Sequence, residues 1–477
     1  MSVLSEVEYE EIYRDSIATV DASGKRVWVF PKKPKGSMHH YRIALTVVLL
    51  GLFFGIPLIQ VNGHPFFMLN IFERTFIIFG QIFYPQDFVM FALAMIIFFV
   101  FIILFTVAFG RIWCGWACPQ TVFMEMVFRK IEYWIEGNRN QQRKLAQQPW
   151  NTEKVLKKGV KHAIFLLIAI LIAHTAMAYL IGLDKTINII TQPPSAHWVG
   201  FIGFVAFTAL FYGVFAYLRE QACIAVCPYG RLQGVLVGNN TLGVIYDFVR
   251  GEPRGKLKKK TEPPTDDLMA KITQGDCVDC TLCVQVCPTG IDIRNGIQLE
   301  CVNCTACIDA CDEVMEKVGK PKGLIRHASE DMISKGKSFK FNTRLMAYAA
   351  LLLLLLVVEG FLILGRSPVE ATVLRVPGQL YHERTEGVLS NLYNTQLVNK
   401  TFEPLTLDLK VRDDFGRIER VNGKPNQLTL EAGEKVDLIF FVDIPKKQLQ
   451  EMKTPIYVEV YKKDKLIETA KTNFLGP

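Results

Sequence analysis

"CVDCTLCVQVCP", residues 277–288, spaces four cysteines as C-x2-C-x2-C-x3-C and follows the last with proline. "CVNCTACIDAC", residues 301–311, repeats the cysteine spacing, with Asp312 where the first copy has proline. Four thiols in so short a run are poorly placed for unstrained disulfides with one another. They suit the enclosure of a [4Fe–4S] cubane, and in the two-cluster pattern the fourth cysteine of each run crosses to the other cluster. That assigns Cys277, Cys280, Cys283 and Cys311 to one cluster, and Cys301, Cys304, Cys307 and Cys287 to the second. Structural zinc also uses C-x2-C pairs, but eight cysteines in two copies of one register favour a ferredoxin module. Proline is not a ligand, so Asp312 changes only a turn.

Four further cysteines lie upstream, in "RIWCGWACPQ" (111–120) and "QACIAVCPYG" (221–230). Each motif reads CxxxCP and directly follows a long apolar run. All twelve cysteines fall between 114 and 311. A chain that groups its thiols in this way points to metal binding on the reduced side of a membrane rather than to disulfides.

The chain has 477 residues and is 50% hydrophobic, so membrane and aqueous parts should coexist. Five runs reach the length of about 20 apolar residues that crosses a bilayer: 42–61, 87–110, 161–183, 198–217 and 343–365. A sixth, "PFFMLNIFERTFIIFGQIFYP" (65–85), carries Glu73 and Arg74 at its centre, which predicts an interfacial or re-entrant segment. No signal peptide precedes the first span. The net charge of +8 is concentrated in particular loops. "KRVWVFPKKPK" (25–35) precedes span one and "RGEPRGKLKKK" (250–260) follows span four. The 111–160 loop has nine Lys/Arg against four Asp/Glu, whereas 62–86 and 184–197 hold one basic residue each. The positive-inside rule then puts the N-terminus, the 111–160 loop and the 218–342 segment in the cytoplasm, and the tail outside. Both CxxxCP pairs would face the ferredoxin module, at the ends of two similar hairpins.

Proline after Cys118 and Cys227 suits the first turn of a helix. After Pro119, Val122, Met126, Lys130 and Trp134 form one stripe, with Phe123, Val127, Ile131 and Ile135 beside it. The periodicity predicts an amphipathic helix on the membrane surface. Helix N-termini favour thiolate, and Arg111 and Arg219 upstream should act in the same direction. Soft thiolates select Cu(I), zinc or iron–sulfur clusters. Cys114, Cys118, Cys223 and Cys227 therefore read as a copper-handling or redox-active thiol site, with a third cluster or buried structural cysteines as alternatives.

Of the eight histidines, His162 and His174 share span three, and no second span offers the partners that a membrane haem requires. Met90, Met95, Met124 and Met126 are thioether candidates near the first thiol pair, and His39 and His40 could meet a metal in transit. No P-loop, HExxH, nucleophile elbow or evident quinone site is present. After residue 365 the pattern becomes short alternating runs, such as "LTLDLKV" (405–411), "KVDLIFFV" (435–442) and "PIYVEVYKK" (455–463), with "VNGKP" and "EAGEK" as turns. About seven strands there suggest an immunoglobulin-type sandwich without its cysteine signature, suited to docking a partner.

The spans, "CGWACPQTVFMEMVFRKIEYWIEG", "CIAVCPYGRLQ", the ferredoxin run and the C-terminal sandwich together resemble the bacterial CcoG (FixG/RdxA) family of cytochrome c oxidase accessory proteins, over nearly the whole chain. The expected architecture is a multi-domain integral membrane protein with five helical spans, a two-cluster ferredoxin-like domain and an Ig-like β-sandwich. Its segments are 1–41 (cytoplasmic), 42–110 (first hairpin), 111–160 (CxxxCP and amphipathic helix), 161–217 (second hairpin), 218–342 (CxxxCP and ferredoxin domain), 343–365 (fifth span) and 366–477 (periplasmic sandwich). The resemblance implies a cupric reductase that supplies Cu(I) for cbb3-type oxidase assembly in the bacterial inner membrane. Its cofactors would be two [4Fe–4S] clusters, with transient copper at Cys114, Cys118, Cys223 and Cys227. Expected partners are membrane lipid, a cytoplasmic electron donor, and copper chaperones or oxidase assembly factors and subunits. A homodimer is allowed, and nucleic acid is not a partner. Two rivals stand beside this reading: a respiratory electron relay of the polyferredoxin type, and a non-catalytic assembly scaffold.

Overall fold

The computed structural model describes residues 19–20, 23–61, 63–256, 274–378, 380–385, 387–421 and 427–477. The far end of the basic run 250–260 and most of the "VNGKP" turn lie outside these. Five helices are long and apolar enough to cross a membrane: Ser37–Leu58, Phe88–Phe109, Thr152–Ile181, Trp198–Leu218 and Thr343–Leu364. All five expected spans are therefore present. Span three starts earlier than its apolar run because Asn151 Oδ1 accepts the Lys154 N–H at 2.8 Å, capping a polar first turn. The chain divides into two compact units, one made of Met1–Gly55, Met95–Ala178 and Asp184–Leu356, the other of Ile56–Ala94, Tyr179–Leu183 and Val357–Pro477.

In the first unit, the segment after Pro119 departs from expectation. Residues Val122–Phe128 form a π-helix, followed by α-helix over Arg129–Ile135. A wider turn shifts the register of a 3.6-residue stripe, and Val122, Phe123, Met124, Met126 and Phe128 are all buried. Phe128 stacks on Phe215 at a centroid distance of 4.7 Å and meets Phe165 edge-on at 4.7 Å. The first part of this element is thus packed among spans one, three and four, while Trp134 further along stays exposed. Met124 and Met126 are core filler there.

Its polar side carries a buried ionic network that no sequence pattern announced. Arg129, 1% exposed, pairs with Glu125 at 3.0 Å and Glu220 at 3.6 Å. Glu132 meets Arg219 at 2.7 Å, and Glu136 meets Lys161 at 2.9 Å and Lys158 at 2.8 Å. Burial alone would raise the Glu132 pKa, but Arg219, Arg129 and Lys161 hold it below the usual carboxylate range. Charges removed from water survive only when paired in this way.

The second unit is a β-sandwich. One sheet contains Val369–Arg375, His382–Thr385, Val388–Asn399, Arg417–Arg420 and Lys435–Pro445; the other contains Leu405–Val411, Gln427–Leu430, Lys453–Lys462 and Lys465–Leu475. All pairings are antiparallel, with Val388 opposite Pro445 and Val398 opposite Lys435 in the longest ladder. Alternate residues turn inward: Leu405, Leu407, Leu409 and Val411 are buried against Tyr393, Phe440 and Phe474. Among the described residues the sandwich has nine strands against about seven expected, because His382–Thr385 and Arg417–Arg420 are short and weakly patterned.

The 65–85 stretch belongs to this unit and is not re-entrant helix. Met68–Asn70, Thr75–Ile78 and Gln81–Phe83 make a three-stranded meander. Glu73 sits in the first turn, where its N–H donates to Asn70 Oδ1 at 3.0 Å, so its charge stays at a turn. Beyond it, Asp87 receives Arg366 at 2.6 Å and Lys400 at 2.7 Å.

Candidate redox centre

The two cysteine loops share one backbone. In 277–283 the residues Asp279 (φ 50) and Thr281 (φ 57) adopt left-handed conformations, and in 301–307 Asn303 (φ 53) and Thr305 (φ 64) do so at the same offsets. Alternating right- and left-handed residues turn successive amides inward and form a concavity for anionic groups, the nest found at many iron–sulfur sites. Non-glycine residues adopt this geometry at a cost of roughly 1–2 kcal/mol each. Cys283, Cys287, Cys301, Cys304 and Cys307 line one internal cavity. Cys277, Cys283 and Cys311 pack with Ile291, Ile308 and Leu324 in a continuous core. The donor set therefore fits soft, polynuclear clusters. Cys283 and Cys287 of the first run thus line the same cavity as Cys301, Cys304 and Cys307 of the second.

Burial dominates the acid–base behaviour of Cys283, Cys301, Cys304 and Cys311. Desolvation pushes Cys283 and Cys301 up to about 12 and Cys304 to about 11. Cys311, in the helix Ala306–Lys317, is raised to about 12, again mainly by burial. Cys283, Cys301, Cys304 and Cys311 therefore hold their protons at neutral pH, and a metal bound there would have to displace them.

The CxxxCP motifs lie against these loops. Cys114 shares a buried cluster with Val302, Cys304 and Ala306, against which Tyr229 packs. The Trp116 indole N–H donates to Asn303 O at 3.2 Å. Gly115 is required by close approach: a Cβ there would collide with the Val302 carbonyl. The two motifs are also tied to each other. Tyr229 OH pairs with Thr106 Oγ1 at 2.7 Å, and Gln120 donates to Arg219 O at 3.2 Å. Cys118 and Cys227 are each the extended residue before a helix that starts with proline, as the sequence predicts.

The four thiols are close enough to perturb one another electrostatically: Cys223 feels Cys118, Cys114 and Cys227. The protonation of Cys114, Cys118 and Cys223 runs opposite to expectation. Burial raises Cys114 and Cys118 and pushes Cys223 up to about 12. The amides of Gln120 and Thr121 oppose this at Cys118, as a helix N-terminus should, but desolvation is larger. Arg111 acts as anticipated beside Cys114, whereas Arg219 is turned to Glu132. Arg111 is buried, donates to Leu299 O, and lowers the thiols on both sides of it, Cys114 and Cys301. Among the described residues no three or more His, Cys, Asp or Glu side chains converge on a single-ion site. His40 Nδ1 is engaged with Gly36 O at 2.6 Å, and His162 with Tyr212 OH at 3.0 Å.

With this geometry in hand, comparison with known proteins decides the kinship. The chain is 36% identical to Protein RdxB of Cereibacter sphaeroides, over 86% of this chain and 87% of that one. It belongs to the FixG/RdxA family. Protein RdxA of the same organism is 33% identical, with 83% and 85% covered. Nitrogen fixation protein FixG of Rhizobium meliloti is 30% identical, with 90% and 88% covered. Three family models match: a 4Fe-4S dicluster domain over 218–330, the IG-like fold at the C-terminus of FixG over 360–477, and a 4Fe-4S binding domain over 91–140. This member of the FixG/RdxA family is a membrane iron–sulfur electron-transfer protein with a C-terminal Ig-like domain.

Proposed function

We propose that the chain reduces Cu(II) to Cu(I) for assembly of a cbb3-type cytochrome c oxidase. The observation that carries the reading is the close approach of Gly115, next to Cys114, to the Val302–Cys304 backbone: the first CxxxCP turn lies against a cysteine loop of the ferredoxin run. In this reading Cys277, Cys280, Cys283 and Cys311 hold one cluster, and Cys287, Cys301, Cys304 and Cys307 the other. The clusters supply electrons one at a time, and the reduction of each copper ion takes one. Cys114, Cys118, Cys223 and Cys227 receive the copper substrate and favour its Cu(I) state, because thiolate is a soft ligand. As copper binds, their protons leave, a step that Arg111 beside Cys114 assists.

The charge asymmetry of the loops supports a cytoplasmic N-terminus and ferredoxin domain and a periplasmic sandwich. The segment boundaries follow from that topology. A cytoplasmic donor, and copper chaperones or oxidase subunits as recipients, complete the proposal.

The test is a Cu(I)-chelator assay on purified protein with reduced clusters. Serine at the four CxxxCP cysteines should abolish Cu(I) release while the cluster absorbance persists. Cluster oxidation that never needs copper would instead favour the electron relay. Normal oxidase assembly with serine at the cluster cysteines would favour the scaffold.

One observation favours a second reading of the four thiols. The 4Fe-4S binding domain model spans 91–140, a stretch that contains Cys114 and Cys118. A third cluster shared by the two motifs would then take the place of copper. Iron and sulfide analysis separates the readings, giving three cubanes of iron per chain against two.

A further inference from the structure

A cleft of about 440 Å³ opens beside Cys301. Its walls come from stretches far apart in sequence: Arg111 just after span two, Gln233 on the helix Pro228–Leu236, Ile297 and Leu299 on the loop before Cys301, and Glu330. Its volume lies in the range of roughly 300–1,000 Å³ typical of small-molecule sites, and apolar walls with a few polar groups are also typical.

Two of the wall residues are buried and incompletely paired. Arg111 is 5% exposed and Gln233 is 2% exposed. Gln233 commits its amide N–H groups to Gly230 O at 3.2 Å and Leu299 O at 3.4 Å, which leaves Oε1 with no partner. Arg111 donates through a terminal nitrogen to Leu299 O, while its Nε has no partner. A buried donor or acceptor left unmet is costly. Buried polar groups of this kind call for an explanation, and a ligand that accepts from one and donates to the other supplies it.

We propose that this cleft is a quinone site, which binds the head group of a membrane quinol or quinone beside the cluster ligand Cys301. A quinol ring carries an oxygen at each end, able to donate to Gln233 Oε1 and accept from Arg111 Nε–H. The cleft adjoins the residue pair Gly110 and Arg111, which directly follows the apolar helix Phe88–Phe109, so a lipid-soluble ligand reaches it from the bilayer edge. A nucleotide cofactor fits less well, since Arg111 is the one cation among the described lining residues and is already engaged. Oxidation of one quinol breaks two O–H bonds, forms two carbonyls and releases two protons and two electrons. An iron–sulfur centre held by Cys301 and its neighbours would take the electrons singly, and half-buried Glu330 on the cleft wall would pass the protons to water. No pattern marked the site in sequence, because its walls meet only in the fold. The inference rests on the iron–sulfur reading and is independent of copper.

The experiment uses the full chain in lipid nanodiscs, anaerobically, with decylubiquinone as probe. Equilibrium binding and the re-oxidation of dithionite-reduced clusters are read by calorimetry and cluster absorbance. Wild-type protein should bind saturably. Ile297→Trp, which fills the mouth at a residue 43% exposed, should weaken binding at least tenfold with unchanged cluster absorbance and melting temperature. Gln233→Leu should weaken it similarly. Uptake no greater than that of empty nanodiscs, or wild-type binding by both variants, overturns the proposal. Reduction by a soluble flavin that Ile297→Trp blocks, without quinone binding, assigns the cleft to a soluble donor and also overturns it. Dithionite-driven copper reduction bypasses the cleft, so its persistence in Ile297→Trp keeps failure here distinct from failure of the copper reading.

Discussion

The backbone N–H of His39 donates to Oδ2 of Asp309 at 2.8 Å, and its neighbour Met38 donates to Oδ1 at 3.1 Å. The first turn of span one thus rests on a carboxylate from the helix that carries Cys307 and Cys311. A helix start has unpaired amides and a positive dipole end, so an acidic partner from another segment caps it as a local N-cap residue would. Asp309→Ala should cost about 1–2 kcal/mol, by analogy with lost N-caps. Asp309→Asn should recover part of this. Thermal melting followed by cluster absorbance reads both.

Glu132 is the anion that holds Arg219 and approaches Lys161 inside the first unit. Glu132→Gln removes the nearest carboxylate from buried Arg219 and leaves it only Glu220 at 3.7 Å, and breaking a buried pair in comparable sites costs up to about 3–5 kcal/mol. A large drop in melting temperature is expected. Glu153→Gln, in the exposed pair with Lys157, should leave it unchanged.

Asp87 titrates below the ordinary carboxylate range, because Lys400 and Arg366 outweigh its desolvation. A carboxyl whose folded pKa is depressed stabilises the fold fully above its unfolded value of about 3.9, and that contribution is lost as pH falls toward the folded value. Melting of the sandwich unit should therefore weaken steeply below about pH 4. Asp87→Asn should be less stable at pH 7 and show a flatter acid limb.

Removal of iron should expose differences among the cysteines proposed to hold the clusters. Cys280 is exposed, whereas Cys283 and Cys301 are held protonated by burial, at about 12. In chelator-treated folded protein, iodoacetamide at pH 8 should label Cys280 first, as mass spectrometry would show. Equal labelling would mean that the loops open once iron is gone.

The spacing of the eight ferredoxin cysteines, the five spans and the alternating strands of the tail were legible in sequence, since each depends on local period. Cys118–Pro119 and Cys227–Pro228 were likewise legible as helix starts. The wall of charge around Arg129 was not, because Glu132, Arg219 and Glu220 are far apart or unpatterned until the spans pack. The stripe on 122–135 misled, because periodicity assumes an α-helix and Val122–Phe128 is a π-helix. Thiolate character was overestimated for a related reason: Gln120 and Thr121 amides are local, while the desolvation that outweighs them arises from distant packing.

The meeting of Gly115 with Val302 is main chain on main chain. The distance from thiol turn to metal loop is therefore set by the backbone before any side chain is chosen. Drift among neighbouring side chains can retune polarity or potential there without lengthening the jump. A single methyl group at position 115 would alter the spacing itself.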